Sequence, residues 1–175
     1  GSAAQNLPDL IAGVRPENSR RCLFCTDDRH PEDVLVEGHI DNHLRLAVER
    51  GIDPVTAVQM ATINTAEAYG LETVGALAPG RDADIVVVED LKDFEVHSVY
   101  IDGKKVAEGG MALFQVPEID ISPVTGSVRV GSFDEQRITL SLPSNIARVL
   151  RVQPNSLITE EVIRKVHTEG GGRFV

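Results

Sequence analysis

Up to about residue 70 the apolar positions recur three and four apart, and from Ile85 onward they crowd into short β-branched runs. The first rhythm is that of helices burying one face; the second belongs to strands. Residues 3 to 20 are polar and broken by Pro8, Gly13 and Pro16, so Leu7, Leu10, Ile11 and Val14 can form only an amphipathic turn or two. Pro31-Glu32-Asp33 opens a helix, with acidic groups near the positive end of its dipole. Val34 and Leu35 begin an apolar stripe that Gly38 interrupts. A second helix is predicted from His39 to Arg50, with Ile40, Leu44 and Val48 on one face and Gly51 as its terminator. Asp53-Pro54 starts a third, because Asp caps well and Pro at the first helical position sacrifices no hydrogen bond. Val55, Val58 and Ala61 or Thr62 are its expected buried face, and Thr65 is expected to cap a short helix ending at Gly70.

Gly75, Pro79 and Gly80 then punctuate a turn-rich stretch. Ile85 to Val88 is a continuous β-branched run, which predicts a strand buried on both faces. Val96 to Ile101 and Lys104 to Ala107 flank Asp102-Gly103, a strong two-residue hairpin signal, and Gly109-Gly110 ends the pair. Residues 82 to 114 thus form a small β unit. From Pro117 the segments are short and β-like: 128–130, 138–142 and 146–152 alternate partially, between breaks at Pro143 and Pro154-Asn155. Residues 158 to 166 suit either a helix capped at Thr159 or a strand, and Gly170 to Gly172 read as a flexible end.

One stretch stands apart. Arg21 to Cys25 reads as a strand, Thr26-Asp27-Asp28-Arg29-His30 as its polar mouth, and Pro31 as the stop. A strand that delivers carboxylates at its C-terminal end is how barrel enzymes build sites. The competing reading is an Asp-rich turn that caps a helix.

Composition narrows the classes. Hydrophobic content of 42% and charged content of 25% are those of an ordinary globular chain. A net charge of −10 argues against nucleic acid or an anionic membrane as partner, and the absence of Trp argues against a base-stacking surface. No apolar run reaches a membrane span, and no secretory signal is evident. Cys22 and Cys25 lie an odd number of residues apart on the expected strand, so they point to opposite faces and are read as reduced thiols of a cytoplasmic protein. Gly1-Ser2, with no initiating Met, reads as a cloning scar.

Phe24 to Gly38, FCTDDRHPEDVLVEG, resembles the end of the last barrel strand of bacterial adenine deaminases, in the amidohydrolase superfamily. Asn64-Thr-Ala-Glu-Ala-Tyr-Gly-Leu, then Gly75-Ala-Leu-Ala-Pro-Gly-Arg-Asp-Ala-Asp84 and its apolar run, resembles that superfamily's C-terminal signature. The resemblance implies an α+β fragment. Residues 21–74 would hold the last strand and following helices of a (β/α)8 barrel, 75–116 part of a β-sandwich, and 117–175 the start of a C-terminal β-rich domain, after a connector over 1–20. It implies that Asp27 is both a metal contact and the catalytic proton carrier, and that Asp82 and Asp84 are structural. It further implies Mn2+, with Fe2+ or Zn2+ as alternatives, most ligands lying outside this chain.

The implied parent reaction is adenine plus water to hypoxanthine plus ammonia, with metal-bound hydroxide as nucleophile. Asp27 would take the proton of that water, while Asp28 and Arg29 would contact adenine and His30 would either contact adenine or cap a helix. Arg29 is also expected to pair with one of the two Asp residues. His39 and His43, one helical turn apart, have metal-ligand spacing but lack the Glu of metalloproteases, so the plainer reading is a half-exposed helix face. Glu37-Gly38-His39 could line the mouth, and His97 and His167 are expected to be solvated. One Asp cannot hold a catalytic metal, so the chain by itself is expected to be inactive. A lone barrel strand also exposes its edges, so self-association into a homo-oligomer is expected. Two other classes fit less well: a deacetylase or cyclic amidohydrolase of the same superfamily, and a non-enzymatic β module.

Overall fold

The computed structural model describes residues 1–2, 4–169 and 173–174, and these divide into two units, residues 1–115 and 116–175. The Gly170 to Gly172 segment expected to be flexible lies outside the described residues.

The first unit begins with α1 (Leu7–Leu10), continued by a tight turn over Ile11–Gly13, and a second such turn over Ser19–Arg21. Four helices follow: α2 (Pro31–Glu37), α3 (Ile40–Glu49), α4 (Pro54–Ala61) and α5 (Ile63–Tyr69). Ile11, Phe24, Ala47, Ala57 and Met60 form the core beneath them, and Leu7, Val14, Ile40, Leu44, Val48 and Ile52 pack around it. Ala47 and Ala57 are fully buried, which lets α3 and α4 approach closely around the larger Phe24 and Met60. Full burial of a side chain such as Met60 stabilises the fold by about 1.5–3 kcal/mol.

The Arg21 to Cys25 strand is not formed. Residues 22–26 form neither helix nor strand, and Phe24 N–H reaches Met60 O at 3.4 Å, but no neighbouring strand pairs with them among the described residues. A strand is defined by its ladder, so an apolar run without a neighbour stays an unpaired segment. Two helix details also differ. Ala57 and Met60, not Val55, make the buried face of α4, and Val55 is exposed. Thr62, not Thr65, precedes α5, whose end at Gly70 has the left-handed conformation expected of a terminator. Asp53 caps α4 as expected, accepting from Thr56 N–H at 2.9 Å.

A four-stranded antiparallel sheet, β1 (Ile85–Val88), β2 (Val96–Ile101), β3 (Lys104–Glu108) and β4 (Met111–Ala112), completes the unit in sequential order. Asp102 and Gly103 both have positive φ, 49° and 71°, as the hairpin turn demands. Strand β1 lies at the edge, and Val86 and Val87 are exposed, so its expected burial on both faces is not seen. Asp84 accepts from Asp102 N–H at 3.0 Å and Asp82 from Thr73 Oγ1 at 2.7 Å, both structural uses.

In the second unit, β5 (Ile146–Val152) and β6 (Thr159–Lys165) form an antiparallel hairpin, which settles 158–166 as strand. Arg148–Glu161 and Arg151–Glu160 pair across it at 3.2 and 3.1 Å. A short pair, β7 (Thr168–Glu169) and β8 (Arg173–Phe174), follows. Residues 128–130 form no strand, and Ile138 ends a tight turn over Glu135–Ile138. Alternation there is too short to hold a ladder without a neighbour.

Candidate active site

The site is built outward from Phe24. Its buried ring meets the His43 ring edge-on, with centroids 6.0 Å apart at 62°. His43 is itself buried on α3, and its Nδ1 lies 3.0 Å from His39 O. Burial holds the His43 imidazole below its ordinary pKa, despite the opposing pull of the hydrogen bond to the His39 carbonyl. Two residues beyond Phe24, Thr26 is also buried, and its Oγ1 lies 3.0 Å from His39 Nε2. The segment is thus anchored to α3 on either side of Cys25, which is exposed and carries a free thiol.

The chain then turns sharply. Asp27 has φ of 54°, a left-handed conformation that a non-glycine residue adopts at a cost of about 1 kcal/mol or more. Arg29 N–H closes the turn onto Asp27 O at 2.9 Å. The carboxylates of Asp27 and Asp28 and the ring of His30 all belong to exposed residues at this tip.

Arg29 behaves differently. Its side chain is only 6% exposed and forms an ion pair with Glu37. It also donates to Asp33 O at 3.4 Å and Gly38 O at 3.3 Å, so it straps the loop to both ends of α2. The acid that Arg29 is seen to pair with is thus Glu37, which the sequence reading had not named for it. Glu37, which continues the helix from Pro31, sits where the guanidinium fork can reach it together with two backbone carbonyls. Its buried Nε has no partner among the described residues.

Gly38 has φ of 99°, and a side chain there would run into the Asp41 carboxylate. That carboxylate accepts from His39 N–H at 2.6 Å and pairs with Arg45 at 2.8 Å. Burial pushes the Asp41 pKa up, but the His39 N–H and Arg45 outweigh it, and the net shift is downward. Arg45 also donates to Glu37 O at 2.6 Å. Glu37, Gly38 and His39 are thereby fixed beside the Asp27 loop.

Chemically, the loop offers exposed carboxylates at a rigid, strained tip with a hydrogen-bonded Thr–His pair beneath. Such a tip can accept a proton or donate one oxygen ligand to a cation. Among the described residues no group of three or more His, Cys, Asp and Glu is placed to hold a metal ion. His39 and His43 do not converge on one point, since Nε2 of the first faces Thr26 and Nδ1 of the second faces backbone. These residues therefore do not make a metal centre by themselves. His97 and His167 are exposed.

Two features escaped sequence reasoning. Thr26 could have been suspected as the residue just before a carboxylate pair, where a short hydroxyl suits a buried strand end. Ser2 could not: its Oγ accepts from His30 N–H at 2.8 Å and donates to Asp33 Oδ2, and its N–H donates to Asp28 O at 3.3 Å. Nothing in the local sequence links Ser2 to residues 28–33.

The amidohydrolase family model matches residues 1–106 of the chain. A protein named adenine deaminase from Nitratidesulfovibrio vulgaris is 48% identical over 174 residues, covering 99% of this chain and 30% of that protein. Adenine deaminase 2 of Desulfotalea psychrophila is 43% identical over 175 residues, covering 100% of this chain, so the match runs through Gly1 and Ser2 and their reading as a cloning scar is corrected. The adenine deaminase of Clostridium acetobutylicum is 44% identical over 98% of this chain. The chain spans about 30% of the length of each of these relatives. Among solved structures, an amidohydrolase from Thermotoga maritima MSB8 matches 58% of this chain and 26% of its own, with 28% identity and a TM-score of 0.46.

Proposed function

The chain belongs to the amidohydrolase family, and from that premise we propose that the protein carrying these residues hydrolytically deaminates adenine to hypoxanthine and ammonia. The observation that supports the reading is the likeness to proteins named adenine deaminase over nearly the whole of this chain. In this reading residues 21–74 carry the last strand and following helices of a (β/α)8 barrel, whose neighbours would supply the ladder that residues 22–26 lack. Residues 75–116 belong to a β-sandwich and 117–175 begin a C-terminal domain. The two free cysteines suit a reducing compartment, and our reading is the cytoplasm. Among the described residues no helix is long and apolar enough to cross a membrane.

The reaction forms a bond between the oxygen of water and the ring carbon that bears the amino group, then breaks that carbon's bond to nitrogen. A divalent ion, manganese or iron in preference to zinc, would supply acidification of water at neutral pH. Asp27 would be this loop's oxygen ligand to that ion, and three or more protein ligands are the rule for catalytic sites. Asp27 is also the proton carrier: its carboxylate takes a proton from water and gives one to the departing amine. Asp28 and His30 stand on the same exposed tip and face adenine. Arg29 is assigned to holding α2 in place, because its guanidinium is already engaged with Glu37 and two carbonyls.

The test is an adenine-to-hypoxanthine absorbance assay, with ammonia measured in parallel, on the full-length protein supplied with Mn2+. Stoichiometric hypoxanthine and ammonia are expected, and both are expected to vanish for residues 1–175 alone. A folded, metal-loaded full-length protein that leaves adenine untouched would overturn the reading.

A further inference from the structure

Helix α2 starts without a side-chain cap of its own: His30 is its N-cap residue, and its ring makes no capping hydrogen bond. In an ordinary capping box the acidic group at the third helical position reaches back to the N-cap N–H. That third position here is Asp33, and it does not make that bond directly. Ser2 stands between the two. Its hydroxyl accepts from His30 N–H at 2.8 Å and donates to Asp33 Oδ2. One hydroxyl can do both at once, as donor and acceptor; an Ala can do neither. Ser2 also donates its own N–H to Asp28 O at 3.3 Å. Beside it, a side chain at Gly1 would overlap the Asp28 carboxylate, so this residue pair is fitted closely to the loop. Asp27, at φ of 54°, lies between the Thr26 anchor and these bonds at Asp28 and His30.

We propose that Ser2 is a positioning residue for Asp27, acting as a hydroxyl bridge that completes the cap of α2 and holds the strained 27–30 turn in its working geometry. This rests on the deaminase reading for what Asp27 does, but not for what Ser2 holds. Ser2 lies 28 and 31 residues from the groups its hydroxyl joins, so it ties together two segments that the chain brings close only on folding. Displacing a reacting group by about 1 Å can lower a rate by about a hundredfold, whereas Ser2 meets Asp28 and His30 only at their backbone and not at the side chains that face adenine.

The experiment uses the full-length protein with Ser2→Ala, Asp33→Ala and the double variant. Three quantities are read: kcat and KM for adenine, the melting temperature, and amide hydrogen exchange at Arg29 and His30. Each single variant is expected to lose kcat by about ten- to a hundredfold with KM within about twofold, and to exchange faster at His30. The double variant is expected to be no worse than either single one, since both break the same bridge. Unchanged kcat in Ser2→Ala, or a double variant whose losses multiply, would overturn the proposal. Wild type that is folded but inactive on adenine would overturn the deaminase reading instead. Exchange at His30 would then decide the Ser2 bridge by itself, and exchange as slow in Ser2→Ala as in wild type would overturn it.

Discussion

Two turns in the first unit hold an aspartate in the left-handed region, Asp27 at φ 54° and Asp102 at φ 49°. Their origins differ. Asp102 serves a hairpin: β2 and β3 need a two-residue connection and Gly103 takes the second left-handed position, while Asp84 and Ala83, from outside the hairpin, accept the N–H groups of Asp102 and Gly103. Asp27 has no hairpin to serve. Its neighbours are held from outside, by His39 on Thr26, by Ser2 on Asp28 and His30, and by Glu37 on Arg29. Strain that a turn type explains is structural, whereas strain imposed by four distant contacts on an exposed carboxylate is a sign of function.

The sharpest way to break this contrast is a matched pair of substitutions in the full-length protein. Asp27→Asn is expected to lower adenine deamination by about a thousandfold, because an amide cannot carry the proton, whereas Asp102→Asn is expected to leave kcat and KM unchanged. Equal losses in steady-state assays would show the two turns to be alike. The next largest effect concerns stability. Arg29→Met leaves Glu37 and two backbone carbonyls without their donor and is expected to cost about 2 kcal/mol in urea unfolding. Breaking the exposed Lys105–Glu108 pair beside the hairpin with Lys105→Met is expected to leave the midpoint unmoved.

A smaller effect would sharpen the argument about strain. Asp27→Gly relieves the left-handed backbone and is expected to raise stability by about 0.5 kcal/mol in the same titration while deamination is lost. A loss of stability instead would mean that the Asp27 side chain holds the loop together. The gentlest test is pH. His43 resists protonation in the folded state, while the unfolded chain takes its proton near pH 6.5. The unfolded state therefore binds more protons as pH falls below 6.5, and stability declines down to the lowered folded pKa. His43→Gln is expected to flatten that slope below pH 6.5, and unfolding midpoints at and below that pH measure it. Asp41 acts in a separate window. Its lowered pKa contributes stability above pH 3.8 that is lost as pH falls further.

Legibility followed the range of the interactions. Pro31 and Asp53-Pro54 mark helix starts, Gly38 and Gly70 mark ends, and Asp102-Gly103 marks a hairpin, since each acts on backbone within four residues of itself. Burial was harder to read. Val55 and Ala57 lie on the same short helix, and which one is covered depends on where α3 lies. Arg29 was expected to pair with one of its acidic neighbours, yet the ion pair it makes is with Glu37, eight residues later. Ser2 carried no signal at all.

By itself the sequence determined where the first unit is helical and where it becomes a sheet, because periodicity, caps and turn residues are local properties of the chain; Asp27 was named by the family resemblance and not by that patterning. Only the tertiary structure decided that residues 22–26 stay without a ladder, that His43 is buried while His39 meets Thr26, and that Ser2 reaches His30 and Asp33. Those outcomes depend on groups far apart along the chain, and hydrogen-bond geometry between such groups exists only once the helices have packed.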